Sequence, residues 1–405
     1  MRRSSLSTLV AVLCLLFVLG CGGDDGGSTP TPVTGVRITA DETVLEIGHT
    51  SEITATVSGD NKNLTWYVNG VEDGNTVYGT ITQNSPVTYN APDSLPDPAT
   101  VSIVAVSDED VTIADTCSID LVFTKVFVKS DVGNDNAGNG CVNLPVKSIT
   151  KGLTLAQAGM TVLVFPGLYD VHNGEVFDLS IPESVALVGM DWETCIINGH
   201  AAAGDYMSVL MEEQGASFRK FTLEMGEPFT HQWNIAILMD NDDQVVDSIR
   251  VSDRGNYTVL RASSTTNSIV QNCHFGVDDG ETWHKAYEIT GSNQDFILRN
   301  CKASGFNEGI FVNGVQDPLI EGCSLTGNSY GLQMWYQPPS SNPNPDLGGG
   351  ARGSTGGNDL SGNSVCGIEN TSSNAIYAKF NTWDNDPPVE GEDFCNSGTG
   401  SVITE

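Results

Sequence analysis

The chain has 405 residues, with 18 lysines and arginines against 51 aspartates and glutamates, a formal charge of −33. A surface that acidic repels nucleic acid and anionic lipid headgroups, so neither is expected as a partner, and it suits a solvated extracellular protein.

Residues 1–20 are expected to lie outside the fold. Arg2 and Arg3 make a positive start, and residues 9–19 are an apolar run too short to span a bilayer. The run ends in Val18-Leu19-Gly20-Cys21, which resembles the bacterial lipobox. That resemblance implies cleavage before Cys21, lipidation of Cys21, and an exported protein held by lipid to a bacterial outer membrane or cell surface. Residues 21–34 read as a flexible tether. Without Arg2 and Arg3 the chain carries 16 basic residues against 51 acidic, a charge of −35. Eight of the ten cysteines then remain, in a compartment that permits disulfides. Cys366–Cys395 and Cys117–Cys141 are candidate pairs, and no pair has the CxxC spacing of a zinc site.

Residues 35–123 alternate apolar and polar side chains in short runs, among them Ile53-Thr54-Ala55-Thr56-Val57 and Val101-Ser102-Ile103-Val104-Ala105-Val106. Turn signals at Ser58-Gly59-Asp60-Asn61, Asn69-Gly70 and Ala91-Pro92 separate them, which predicts a small β-sandwich. Leu64-Thr65-Trp66-Tyr67-Val68-Asn69-Gly70 and Tyr89-Asn90-Ala91-Pro92 resemble the bacterial Ig-like domains of surface proteins. The resemblance implies a spacer, or less often an adhesive module, in which Trp66 packs without an inter-sheet disulfide.

From residue 125 the pattern changes. Val126-Phe127-Val128 predicts a strand, Asp131 to Gly138 a turn-rich loop, Val146 to Ala156 a short helix, and Met160-Thr161-Val162-Leu163-Val164 another strand. Three phrases then repeat: Ile269-Val270-Gln271-Asn272-Cys273-His274-Phe275, Ile297-Leu298-Arg299-Asn300-Cys301-Lys302-Ala303 and Leu319-Ile320-Glu321-Gly322-Cys323-Ser324-Leu325. Their cysteines are 28 and 22 residues apart, and a second strand follows each. A period of roughly 20–30 residues with two strands per repeat predicts a solenoid. The strand, Asn/Asp loop, helix, apolar strand and Pro166-Gly167-Leu168-Tyr169 resemble the start of a right-handed parallel β-helix of the pectate-lyase-like superfamily. The fold class expected is therefore all-β: a right-handed parallel β-helix over residues 125–405 with an N-terminal capping helix, preceded by an Ig-like sandwich. The helix would cover the first coil, whose core and strand edge are otherwise open. The cysteines read as free thiols in an inward ladder whose anchor recurs at Phe221 and Ile249. After Trp335 the rhythm breaks, and residues 337–357 read as a Pro/Gly/Asn-rich insertion.

The ladder predicts the outward columns. One residue after each anchor come Thr222, Arg250, His274, Lys302 and Ser324, so Arg250, His274 and Lys302 would form a positive stripe on neighbouring coils. The bland reading is that nearby acids pair with these charges and merely solubilise the face. Two residues before the anchor, Asp247, Gln271, Arg299 and Glu321 make a mixed column. Two long loops, around His231 and Trp233 and around Trp283, His284 and Lys285, leave one side with the short Arg254 turn between them. Exposed Trp233 and Trp283 suit sugar rings, while Arg250, His274 and Lys302 suit an acidic sugar. Lys285, His284 or His231 could take a proton beside Arg254 in a β-elimination. Asp240, Asp242 and Asp243, with Asp247, could hold calcium, though Asp and Asn are also ordinary turn formers there. Three roles stay open: a monomeric surface protein that binds polysaccharide, acidic by the charge of the stripe; a polysaccharide lyase acting on an acidic glycan with or without calcium; and a rigid rod without a ligand.

Overall fold

A computed structural model describes residues 30–199, 207–224, 234–252, 257–277, 284–314, 317–335 and 343–405. Residues 35–122 form two five-stranded sheets that share one core. Thr100–Ser107 shows the cause, since every second side chain is buried against the opposite sheet. Trp66 sits in that core with Val68, Ile103 and Tyr89. Cys117 and Cys141 are both free thiols, so the expected Cys117–Cys141 pair does not form. Cys117 lies mid-strand opposite Ile103, whereas Cys141 packs into the sandwich core from the β-helix side, 3.6 Å from the Asp93 carboxylate.

Only Phe123 and Thr124 separate the last sandwich strand, Ala114–Val122, from the first β-helix strand, Lys125–Val128. Phe123 packs against both cores. The Glu46 carboxylate accepts from the backbone N–H groups of Thr124 and Lys125. Asn139 and Asn143 reach back to the Asp93 carbonyl and the Gly48 carbonyl.

The cap is the helix Ile149–Leu155. Ser148 accepts from the Lys151 N–H, and Glu175 accepts from the N–H groups of Ile149 at 2.6 Å and Thr150 at 2.8 Å. These bonds satisfy donors that a helix start leaves bare. Burial pushes the Glu175 carboxyl up despite those bonds. Ile149 and Leu153 then close over Val126, Val128 and Val162, and a Cβ at Gly152 would come within 2.8 Å of Val128.

The coils that follow are parallel and in register, forming a sixteen-stranded sheet and a nine-stranded sheet among the described residues. The coils anchored at Cys273, Cys301 and Cys323 have three strands where the repeat predicted two, whereas Ser217–Glu224 and Val245–Ser252 each run unbroken past their anchor. The anchor phrase is bent: Ile269–Gln271 and His274–Gly276 are separate strands, as are Ile297–Arg299 and Lys302–Ser304. The bend is at Asn272 (φ 56°), Asn300 (φ 53°) and Gly322 (φ 63°), in the left-handed region that Asn and Gly reach most readily. The first face thus carries the residues before the bend, the second face those after the anchor, and the third face strands such as Lys285–Gly291 and Glu308–Gly314.

Cys273, Cys301 and Cys323 are buried free thiols in line with Phe221 and Ile249, as the repeat required. Burial pushes the Cys301 thiol far up, which makes it an inert packing group. After Trp335 the coil lengthens, with Tyr330 pairing with Cys366, and the register shifts between Asp346 and Gly348, but the stacking continues. Asp346–Gly348 is a strand of the next coil, paired with Leu319 and with Tyr377, and Leu347 is fully buried. The Asp346 carboxylate holds it in place by accepting from the N–H groups of Gly348 and Gly350. Cys366 and Cys395 are disulfide-bonded across Cys366–Asn370 and Phe394–Asn396.

Candidate functional site

The second face carries the column that the ladder predicted. Thr222 pairs with Arg250, Arg250 with His274, His274 with Lys302, and Lys302 with Ser324, each on the next parallel strand. Successive side chains therefore stand about 4.8 Å apart. Arg250, His274 and Lys302 are exposed, and among the described residues no acid lies within ion-pair distance of any of them. His274 records the consequence: partial burial, then the charges of Lys302 and Arg250, hold its imidazole below the ordinary histidine range. The first-face column beside it alternates instead, running Arg219, Asp247, Gln271, Arg299, Glu321. Charges of both signs thus occur along one column, and only basic side chains along its neighbour.

A pocket of about 220 Å³ opens at the top of the cationic column, lined by Trp192, Ser248, Ile249, Arg250, Asn272 and His274. The Arg250 guanidinium lies 5.3 Å from the Trp192 ring centre. Trp192 stands on the corner between Ala186–Gly189 and Cys195–Asn198, and its carbonyl accepts from the Thr222 hydroxyl at 2.7 Å. The sequence reading passed over Trp192. Its signal was length: residues 190–194 make a corner that later coils turn through Asn272 or Asn300 alone with their anchor.

Lys285 belongs to a different sheet. It starts the third-face strand, with its Nζ 3.0 Å from Glu288 Oε1 and 3.6 Å from the Phe311 ring centre. Glu288, side chain 8% exposed, also accepts from Arg261 Nε at 2.7 Å and from the Thr258 hydroxyl. Burial pushes the Glu288 carboxyl up, but the two cations outweigh it and hold it below the usual range. Lys285 is thereby committed to a fixed ion pair rather than placed beside the cationic column. His284 is buried, and its carbonyl accepts from the N–H groups of Asn307 and Glu308. His231, Trp233, Arg254, Trp283 and Cys21 lie outside the described residues.

The aspartates are not gathered around one point. Asp242 accepts from the Thr266 N–H at 2.7 Å, and Asp243, at φ 58°, accepts from the Gln214 amide at 2.7 Å. Both stitch one corner to the corner of an adjoining coil. Asp240 is exposed at the end of its strand, and Asp247 accepts from Ser248 and Asn272 on the first face. Asp135 is used in the same way, accepting from the N–H groups of Lys147 and Ser148. Among the described residues, no three His, Cys, Asp or Glu side chains are grouped so as to hold a metal ion.

Stacked coils, a helical cap and outward in-register columns define a parallel β-helix protein. Among solved structures the chain is similar to a rhamnogalacturonan lyase, at 14% identity over 64% of this chain and 74% of that one, with a TM-score of 0.52. It is also similar to a mannuronan C-5 epimerase A-module of Azotobacter vinelandii, at 15% identity over 63% and 73%, with a TM-score of 0.38. A third is the family 28 exopolygalacturonase of Yersinia enterocolitica, at 9% identity over 92% and 86%, with a TM-score of 0.32. The first of these shares the fold. Residues 132–390 match the family described as a protein of unknown function, DUF1565, and the chain belongs to that family. No curated protein matches it in sequence.

Proposed function

We propose that the β-helix binds an acidic polysaccharide along the second face. The observation that carries this reading is the Arg250–His274–Lys302 column, two cations flanking an imidazole on consecutive coils with no acid paired to them among the described residues, in a chain of net charge −33. Repulsion along such a column is relieved by an extended polyanion laid across the coils. The Trp192 pocket supports it, offering an aromatic face, the Arg250 guanidinium and the His274 imidazole where one sugar ring and its carboxylate would sit. The Gly20-Cys21 motif is consistent with this face being presented outside the cell from a lipid anchor.

The test is affinity gel electrophoresis in polygalacturonate and in alginate, with and without calcium, alongside ultraviolet detection of unsaturated product. Retardation by either polymer that weakens with salt is expected, because exposed charges are screened. Binding with no product makes the chain a binder; product makes it a lyase. Free migration in both polymers leaves the β-helix as a rod without this ligand.

A further inference from the structure

We propose that the second face takes the terminus of an acidic glycan rather than a stretch from its middle, with Trp192 as the wall that stops the chain. This rests on the binding of an acidic polysaccharide along that face, and adds which part of the polymer is held.

The outward column is longer than its three basic members. Before Arg250 it runs through Leu168, Ile196 and Thr222, and after Lys302 through Ser324, Asp359 and Thr382. A groove open along its whole length would leave all of these positions accessible. Thr222 is the departure: it is 9% exposed, and its hydroxyl donates to the Trp192 carbonyl. The corner of residues 190–194 therefore stands over the column at that coil. It reaches one coil further, since the Trp192 ring lies 5.3 Å from the Arg250 guanidinium and lines one pocket with Ile249 and His274. The coils at Cys273, Cys301 and Cys323 build no such wall, because each turns the same corner on one left-handed residue, Asn272, Asn300 or Gly322.

Charge closes the same end. Asp191 and Glu193 flank Trp192 and are both exposed, and beyond them Ile196 and Leu168 carry no charge to attract an anion. An acidic unit carried past the wall would exchange the Arg250 guanidinium for two carboxylates, which is unfavourable. The opposite end is open. Ser324 and Asp359 are half-buried and Thr382 is exposed, so the rest of a glycan leaves there into solvent. Asp359 adds no attraction, which confines the favourable contacts to the three coils from Arg250 to Lys302. The terminal ring then sits against Trp192, and its carboxylate meets Arg250 and His274.

The experiment is calorimetric titration of the full chain with oligogalacturonates and oligomannuronates of about four, eight and sixteen units, all longer than the roughly 9.6 Å from Arg250 to Lys302. Salt is held at about 0.15 M, where charges outside the bound stretch are screened. A site that takes a terminus sees one such end per molecule, so the dissociation constant counted per molecule should stay within about twofold across the three lengths. An internal site gains one register for every unit added, and its affinity per molecule would climb several-fold. Trp192→Ala keeps the carbonyl that Thr222 uses and removes only the ring, so it should weaken all three lengths about tenfold. Affinity that climbs with length overturns the proposal and leaves acidic-polysaccharide binding standing. A Trp192→Ala chain that binds every length as tightly as the native chain overturns it as well. No binding of any length overturns both.

Discussion

Lys302→Ala separates a ligand column from an ordinary charged face. Arg250 and Lys302 stand two coils apart in register, about 9.6 Å. Their mutual repulsion is about 0.4 kcal/mol in water and about 1.7 kcal/mol at an effective dielectric of 20. Both side chains are exposed, so screening favours the lower figure. Removing the Lys302 charge should therefore leave stability unchanged or raise the melting temperature by about 1 °C. The same substitution removes one contact with a polyanion, about 1 kcal/mol at contact distance in water, or roughly fivefold in affinity. His274 adds a third readout. Burial, Lys302 and Arg250 all oppose its protonation, so its pKa should rise towards 6.5 when Lys302 is gone, which NMR of the imidazole detects. A histidine with a depressed folded pKa contributes stability that is present above 6.5 and lost as pH falls through the folded value. A bound polyanion acts in the opposite sense, so affinity for polygalacturonate should rise as pH falls below 6.5. Differential scanning fluorimetry and affinity electrophoresis read the two sides. A variant that melts lower and binds the polymer unchanged would show that the column supports the fold and not a ligand.

Other perturbations test the scaffold. Cys301→Ser places a hydroxyl in the fully buried ladder and should cost about 1–3 kcal/mol in urea unfolding, with Cys301→Ala isolating the cavity contribution. Leu347→Ala should cost about 2–5 kcal/mol if residues 346–348 are a true coil strand, and almost nothing if they are a surface insertion. Glu175→Gln keeps only one of the two acceptor oxygens that the Ile149 and Thr150 N–H groups use, so the helix cap should weaken by about 1 kcal/mol in urea unfolding. Because the Glu175 carboxyl is raised, the native chain should lose stability as pH rises from 4.5 through its folded value; that slope should be absent in the variant.

The cysteine ladder was legible because a buried column repeats its chemistry. One thiol every coil fixed Val270 and Phe275 inward and placed Arg250, His274 and Lys302 on neighbouring strands. The bend at Asn272 and Asn300 was hidden, because an Asn in a strand-like phrase says nothing of φ until three strands must close a coil. The coil at Asp346–Gly348 was hidden for the opposite reason. Leu347 is the lone apolar side chain among glycines, and the coil is secured by hydrogen bonds to Asp346 that leave no hydrophobic pattern. The Lys285 ion pair could not be read either, since Glu288 is three residues away on the same strand but Arg261 comes from the preceding coil.

The short connection between the sandwich and the β-helix has a mechanical consequence. Phe123 wedged in two cores and Glu46 clasping the next backbone N–H groups leave the chain no hinge there. Torque applied to the sandwich is passed directly to the coils, as through a welded bracket. The azimuth of the second and third faces is therefore set at the sandwich, and whatever holds the sandwich also aims them.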